Sequence, residues 1–582
     1  MTKIRRDEDL HSSGPPPGVS PRGPDGDALK SIVRAIDLQH RGRLDEAEAV
    51  YRKLLEHNDS DPTVLINAGV LAMARGDTRI AYERLERATT IVPSNAVAHG
   101  NLGLVLIHLG RAAEAVDALD KAIVLKPDFA QAHNNRGLAL AQLGQKGAAR
   151  DAFARALSCA PLHVDAALNL GELANREGHA QAAEDAFDRV LARDPEHAVA
   201  HVGRAFARGL AGKLDESADE LQRVAARQPA LPHAWQTLGA VLNWSWRHDD
   251  AETAYRRALS LAPESREARF GIASTLLARG RYREGFEAFD QSRAGVAVPS
   301  AANALREWTG DALRGTLLLH AEQGLGDTVQ FIRFANHLRN RVDRIALWLG
   351  DYWASLSPLM ATVEGIDRVV TEADALTTEH PVARASVLSL PKLADVSLET
   401  LWNGPYVRAQ ADRLDRWRTR VAEAATTRVG LAWSVAARDD HGYVSQHKSI
   451  EPSSLAPVIA VEGATFHTLQ PGASGEPAAF GPLASRIRPT GRDIGDFGDT
   501  SALIAHLDLV VTTDTAVAHV AGAMGKPVWL LERFHGCWRW RVAAERSPWY
   551  PTMRIFRQAR FNDWSEPVRR VAAELATFKC RT

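Results

Sequence analysis

Residues 96–129 read AVAHGNLGLVLIHLGRAAEAVDALDKAIVLKPDF, and residues 130–163 read AQAHNNRGLALAQLGQKGAARDAFARALSCAPLH. The two align without a gap. Carried along the chain, the same 34-residue period starts copies at Ala28, Pro62, Ala96, Ala130, Val164, Ala198, Pro232 and Arg266. Glycine recurs at position 8 of the period (Gly69, Gly103, Gly137, Gly171, Gly239) and alanine at position 20 (Ala47, Ala81, Ala115, Ala149, Ala183, Ala251). Small residues at fixed places let two helices touch. A glycine at position 15 (Gly76, Gly110, Gly144, Gly178, Gly212, Gly280) breaks a first helix, and proline at position 32 (Pro93, Pro127, Pro161, Pro195, Pro229, Pro263) ends a second. The period therefore predicts eight stacked helix pairs.

This pattern resembles the tetratricopeptide repeat over residues 28–299. A single pair cannot bury its apolar face alone, so neighbours stack into an all-α solenoid with a concave groove of the kind that binds peptides or proteins. Position 6 is Asn67, Asn101, Asn135 and Asn169 in four consecutive copies, then lapses to Gly203, Thr237 and Gly271. In the repeat this position lies on the inner helix. A column of side-chain amides both donates and accepts, so it can clamp an extended peptide backbone. Protein O-GlcNAc transferases carry a similar ladder. The plainer alternative is that asparagine is simply common at this position of the repeat.

Composition narrows the classes. The 582 residues suffice for several domains, and 45% hydrophobic content fits globular cores. Lys+Arg number 70 against 71 Asp+Glu, which gives no basic excess for nucleic acid or an acidic membrane. Cys159, Cys537 and Cys580 have no metal-ligand or disulfide spacing. Residues 1–27 lack an apolar signal region and are predicted to be a disordered tail, whose Asp25-Gly26-Asp27 imitates a metal motif without the strand it would need. No apolar run approaches the roughly 20 residues of a transmembrane helix. A cytoplasmic location is expected.

After about residue 300 the period stops, and strand-like runs alternate with helical ones. GTLLLHAEQGLGDTVQFIRFANHL (315–338) reads strand, glycine loop, helix; 344–350 and 384–390 look like further strands. A second set follows at 427–434, 464–470, 507–514 and 526–532, beyond a charged helical junction near 408–426. Two such sets predict two doubly wound α/β domains facing a cleft, with ligands beyond the carboxyl ends of the strands.

Two motifs sit there. In AEQGLGDT (321–328), Gly324 and Gly326 permit a tight turn, and Asp327 stands where a helix begins. Asp327 can cap that helix or project into the cleft as a general base. In VVTTDTAVAHVAGAMGKPVWLL (510–531), a strand ends at Thr512-Thr513-Asp514-Thr515 and a helix follows to about Met524. The unpaired N–H groups and positive dipole end of that helix suit a phosphate. His519, one turn in, faces either that phosphate or the interior.

Together the motifs resemble bacterial heptosyltransferases, glycosyltransferase family 9. The first half of that family carries G-L-G-D after its first strand. The second half carries D-[TS]-x-x-x-H-x-A-x-x-x-G-x-P, matched by Asp514, Thr515, His519, Ala521, Gly525 and Pro527. The likeness spans about 315–575. It implies a GT-B fold, with an N-terminal half at 300–411 and a C-terminal half at 412–582 that closes on a helix. It further implies an inverting, metal-independent transferase with no cofactor beyond its nucleotide-sugar substrate. By the resemblance Asp327 is the catalytic base. Gly324, Gly326, Lys448, Gln470, Thr513, Asp514, Thr515 and His519 are the donor-binding set, and a protein or peptide acceptor lies on the asparagines of the repeat groove.

The chain also departs from the family. The loop 434–450 lacks the expected Gly-Asn and Arg-Ser-Ile pattern, Lys448 stands where arginine is usual, and Cys537 replaces an acidic residue before Trp-Arg-Trp. A catalytically degenerate scaffold, or a nucleotide-sugar hydrolase or epimerase, are the alternatives these departures leave open. Trp529, Trp538, Trp540, Trp549 and Trp564 are expected in cores and interfaces, with Trp538, beside Arg539 and Arg541, the exception that could stack on a sugar or base.

Overall fold

The computed structural model describes residues 24–293, 302–371, 379–402, 404–421, 426–435, 447–472, 476–540 and 545–578. Residues 1–23 of the expected tail, the greater part of the loop 434–450, Arg541 and Cys580 lie outside them. Contact density divides the chain into two compact units, Met1–Ala207 and Arg208–Thr582. The period ends near 299, but the second unit begins three repeats earlier.

Among the described residues the repeats form sixteen helices, α1 (Pro24–His40) to α16 (Tyr282–Ser292). The first helix starts at Pro24, so Asp25 and Asp27 lie within its backbone span rather than in a tail. The position-8 glycines pack as the period requires. A β-carbon built on Gly69, Gly103, Gly137, Gly171 or Gly239 would lie 2.4–2.9 Å from Leu85, Leu119, Phe153, Phe187 or Tyr255, each sixteen residues on in the second helix of its pair. The position-6 glycines serve the next joint, because a β-carbon on Gly203 or Gly271 would lie 2.3 or 2.1 Å from Phe187 or Tyr255 of the preceding repeat. Those rings leave no room for an amide, which accounts for the lapse of the ladder there.

The second half holds two parallel sheets. The first has the order β1 (Arg306–Glu307), β5 (Pro381–Ser386), β2 (Leu313–His320), β3 (Val342–Trp348), β4 (Arg368–Val370). The second has the order β11 (Met553–Arg557), β10 (Val528–Glu532), β9 (Leu509–Thr513), β6 (Thr427–Ala432), β7 (Ala464–Thr468), β8 (Ile487–Arg488). Every pairing of these strands is parallel. Both are doubly wound, as a GT-B fold requires. Strand order reverses between β2 and β5 in one and between β6 and β9 in the other, where crevices for ligands open. The expected strand 384–390 stops at Ser386, and the chain then turns into a short helix, Leu390–Leu393.

The last repeats belong to the core of the α/β region. On α16, Phe286 meets Phe331, Trp538 and Trp549 with ring centroids 6.0, 6.1 and 6.2 Å apart, and Tyr282 meets Trp549 at 5.5 Å. Arg293 adds a paired fork to Glu322 at 2.6 and 2.8 Å. Rings of this size each bury some 150–250 Å², so the joint is held by apolar area first.

Replacing Gly137 with Val should place branched carbon against the Phe153 ring, which cannot bend aside. Urea unfolding followed by circular dichroism should report a loss of about 1–3 kcal/mol, the usual cost of overpacking.

Candidate functional site

The loop after β2 leads into α17 (Leu325–Phe331). Gln323, not a glycine, supplies the left-handed turn, with φ +61°. The two glycines are needed for closeness instead. A β-carbon on Gly326 would sit 2.7 Å from the His519 ring, and one on Gly324 2.8 Å from the Asp327 carboxylate. Asp327 divides its oxygens. Oδ2 accepts the Gly324 N–H at 2.9 Å, closing the first turn of α17 as a cap, while Oδ1 accepts from the Arg539 guanidinium at 2.5 Å. Its side chain is about one-fifth exposed. The carboxylate thus faces the opposite half.

That half presents α20 (Ala516–Ala523), which follows β9; the longer helices before it are α18 (Ala411–Val421) and α19 (Phe497–Ala505). Thr515 is the N-cap residue, yet its hydroxyl bonds Thr512 Oγ1 at 3.0 Å and does not cap the helix. Among the described residues the first amides of α20 therefore have no side-chain acceptor, and residues 514–516 are only half-buried. Thr513 is fully buried and its hydroxyl has no partner among the described residues. Asp514 pairs with Lys448 Nζ at 2.6 Å. Gln470 bonds the main chain of Ser434 in both directions, its Nε2 donating to O at 3.0 Å and its Oε1 accepting from N at 3.4 Å, which fastens the loop after β6 to the loop after β7.

Charge in the site is balanced in pairs. Burial alone would raise the Asp514 carboxyl, but the Lys448 ammonium outweighs it and holds that carboxyl below the usual range. Burial would likewise lower Arg539; Asp327 reverses this and holds the guanidinium firmly charged. Burial pushes His519 down to about 3, so its ring is neutral. Its Nδ1 shares a 3.0 Å bond with the Tyr550 hydroxyl, and its carbon edge abuts Gly326.

Four residues outside the sequence-derived set complete the site. Arg539 also donates to Gln330 Oε1 at 2.5 Å and lies 4.4 Å above the Trp538 ring. Tyr550 continues to Tyr406 at 3.3 Å, and Tyr406 accepts from Arg333 at 2.9 Å. Arg333 is buried among the rings of Trp402, Tyr406, Trp549 and Tyr550. The one signal for these in sequence was the Cys-Trp-Arg-Trp run; tyrosines and arginines scattered over more than 200 residues show no pattern. All five tryptophans of the closing region are buried, Trp538 beneath Arg539. A surface cavity of about 460 Å³ is lined by Arg333, His337, Thr362, Glu364, Tyr406 and Arg408 among others, and neither Asp327 nor Asp514 is among its lining residues.

The asparagine column stands in the first unit. Asn67, Asn101 and Asn135 are 0–3% exposed, and Asn169 is half-buried. Asn67 bonds back to Thr63 O at 2.9 Å, Asn135 accepts from Gln131 at 3.1 Å, and Asn169 donates to Asn134 at 3.0 Å. As placed, these amides serve the packing of the inner helices.

Comparison with known proteins agrees with both halves. Tetratricopeptide repeat families match residues 104–144, 134–198, 168–232 and 247–295, and glycosyltransferase family 9 (heptosyltransferase) matches residues 496–535. The latter stretch runs from α19 through β9 and α20 to β10. Protein FlbA of Caulobacter vibrioides is 29% identical over 343 residues, which take in 53% of this chain and 55% of FlbA, so the match spans about half of that relative. Among solved structures, a tetratricopeptide repeat protein from Parabacteroides merdae is 18% identical, covering 43% of this chain and 98% of its own, with a TM-score of 0.36. A thermophilic tetratricopeptide repeat protein of Thermus thermophilus is 22% identical, covering 31% and 98%, with a TM-score of 0.29. No helix among the described residues is long and apolar enough to cross a membrane. The chain thus carries tetratricopeptide repeats in its first half and, over residues 496–535 of its second, is similar to glycosyltransferase family 9 (heptosyltransferase).

Proposed function

We propose that this protein transfers a sugar, with inversion and without a metal, from a nucleoside-diphosphate donor to a protein or cell-surface glycan acceptor recruited by the repeats. The observation that carries the reading is the meeting of two elements: the uncapped first turn of α20, whose Ala516 Cα lies 3.5 Å from a β-carbon built on Gly326, and the carboxylate of Asp327, 2.5 Å from an arginine of the other half. Backbone amides and a helix dipole suit a departing diphosphate. A carboxylate opposite them suits the acceptor proton.

In the step itself, an acceptor oxygen or nitrogen bonds the anomeric carbon as the bond from that carbon to the β-phosphate oxygen breaks. Asp327 takes the acceptor proton, and the diphosphate leaves with the electron pair. Lys448 and Arg539 are each tied to a carboxylate of the site. A diphosphate is the stronger partner for two cations, so its arrival draws them from Asp514 and Asp327 and frees the Asp327 lone pairs for proton transfer. Asp514 positions Lys448 before the donor arrives, and neutral His519 offers a hydrogen bond rather than a charge.

A second reading, a silent scaffold, is favoured by that same neutralisation, since a paired site has no unsatisfied need for an anion. The two readings part on ligand binding. Millimolar ADP, UDP or GDP should raise the melting temperature of the second unit, because a ligand at 100 times its Kd stabilises by about 2.7 kcal/mol. Lys448→Met should remove most of that rise; no response to any of the three in the unaltered chain would favour the scaffold.

Asp327→Asn keeps an acceptor for the cap but lacks a base. Transfer should fall by about 10²–10⁴ with donor affinity within severalfold, read as nucleotide release that depends on added protein acceptor. Steady release in buffer alone would indicate a hydrolase instead.

Acid should weaken the fold in a defined window. Native His519 titrates near 3 and native His320, also lowered by burial, near 4, whereas an unfolded histidine titrates near 6.5. The unfolded chain then binds more protons, and stability present above about pH 6.5 is lost as pH falls, by up to about 1.4 kcal/mol per unit per group. His519→Gln should flatten part of that slope in unfolding at pH 4–7.

A further inference from the structure

Position 15 of the repeat is glycine in seven of eight copies, each with φ between +73° and +86°. In the seventh copy it is Trp246, at φ +63°. A bulky side chain in the left-handed region is strained, and such strain persists where surrounding structure holds it and function retains it. The turn itself is unchanged: Trp246 N–H bonds Asn243 O at 3.2 Å, as Gly76 bonds Met73 O at 3.0 Å. The indole is therefore an addition to a turn that glycine makes without strain.

What the indole reaches is specific. The Arg557 guanidinium lies 4.6 Å from the ring centroid. Arg557 pairs with Glu532, a carboxylate 1% exposed, at 2.6 Å, and donates to the Trp540 carbonyl at 2.6 Å. Trp540 closes the short turn Trp538–Trp540, whose middle residue is Arg539, 2.5 Å from Asp327. The same turn sets the Trp540 ring 5.5 Å from that of His519. Gly536 is needed for the chain to pass Glu532, since a β-carbon there would lie 2.0 Å from the carboxylate. A second contact supports the joint, with Trp244 4.8 Å from His535.

We propose that Trp246 is a positioning residue. By covering one face of Arg557 it holds that guanidinium on Glu532 and on the Trp540 carbonyl, and so fixes the turn that delivers Arg539 to Asp327. The seventh repeat thereby becomes part of the support of the site, and a partner bound near this turn would act on Arg539 through Trp246, Arg557 and the main chain of Trp540. The inference rests on the transferase reading for its meaning in catalysis, but its geometry stands apart from that reading.

The test is Trp246→Gly in the full chain, because glycine is the residue that suits the backbone. The melting temperature should stay within about 2 °C of the unaltered protein or rise. Amide exchange over Cys537–Trp540 should quicken about tenfold, and the thermal shift produced by ADP, UDP or GDP should shrink. Trp246→Phe, which keeps an aromatic face over Arg557, should restore slow exchange. Unchanged exchange over Cys537–Trp540 in Trp246→Gly would overturn the proposal, as would faster exchange that merely follows a lowered melting temperature. If the unaltered chain responds to no nucleoside diphosphate, the transferase reading fails while the exchange result still decides the role of Trp246.

Discussion

The bond between Arg539 and Asp327 joins the two α/β halves at the point where their switch-point loops face each other. Arg539 is charged, buried and bound to groups from both halves: Asp327 and Gln330 on one side, Cys537 and the Trp538 ring on the other. A buried guanidinium is costly to strand, so the surroundings must hold it in register. Glu532 and Arg557 do this from β10 and β11, and the aromatic packing of Phe286, Phe331, Trp538 and Trp549 does it from α16 and α17. The glycine at 326 is a consequence of the same approach, since the halves come too close there for any side chain.

The compact unit that holds this site starts at Arg208, inside the repeats. Its helices beyond that point do more than continue a stack. α16 lends rings to the core beneath the site, and the seventh repeat reaches the turn that carries Arg539. A solenoid ending needs a cap for its apolar face, and here the α/β region supplies it. The first unit keeps the regular period and the asparagine column, in which Asn67 bonds the main chain and Asn135 and Asn169 bond the neighbouring amides of Gln131 and Asn134.

The repeat half was legible because its constraints are local and periodic. Gly103 against Leu119 and the left-handed Gly110 recur at the same phase in other copies, so each copy reports on the others. The α/β strands and the 514–516 turn were legible for a related reason, since apolar runs and helix starts are written in adjacent residues. Arg539, Tyr550 and Arg333 were not. Their importance comes from meeting across more than 200 residues of chain, and nothing in a neighbouring residue announces such a meeting. Gln323 shows the limit at short range: the glycines beside it suggested where the turn lies, but the positive φ fell on the glutamine. Trp246 shows the converse, for its departure from the repeat is plain once the period is known, while its target on β11 is not.

The account holds that a diphosphate takes the place of two carboxylates around the mouth of α20. A crystal structure of the chain with a nucleoside diphosphate tests this most directly. The account predicts phosphate oxygens on the amides at 515–517, Lys448 and Arg539 turned to the phosphates, and Asp327 parted from Arg539. Nucleotide seated elsewhere in the chain, or bound while both carboxylate pairs remain intact, would contradict it.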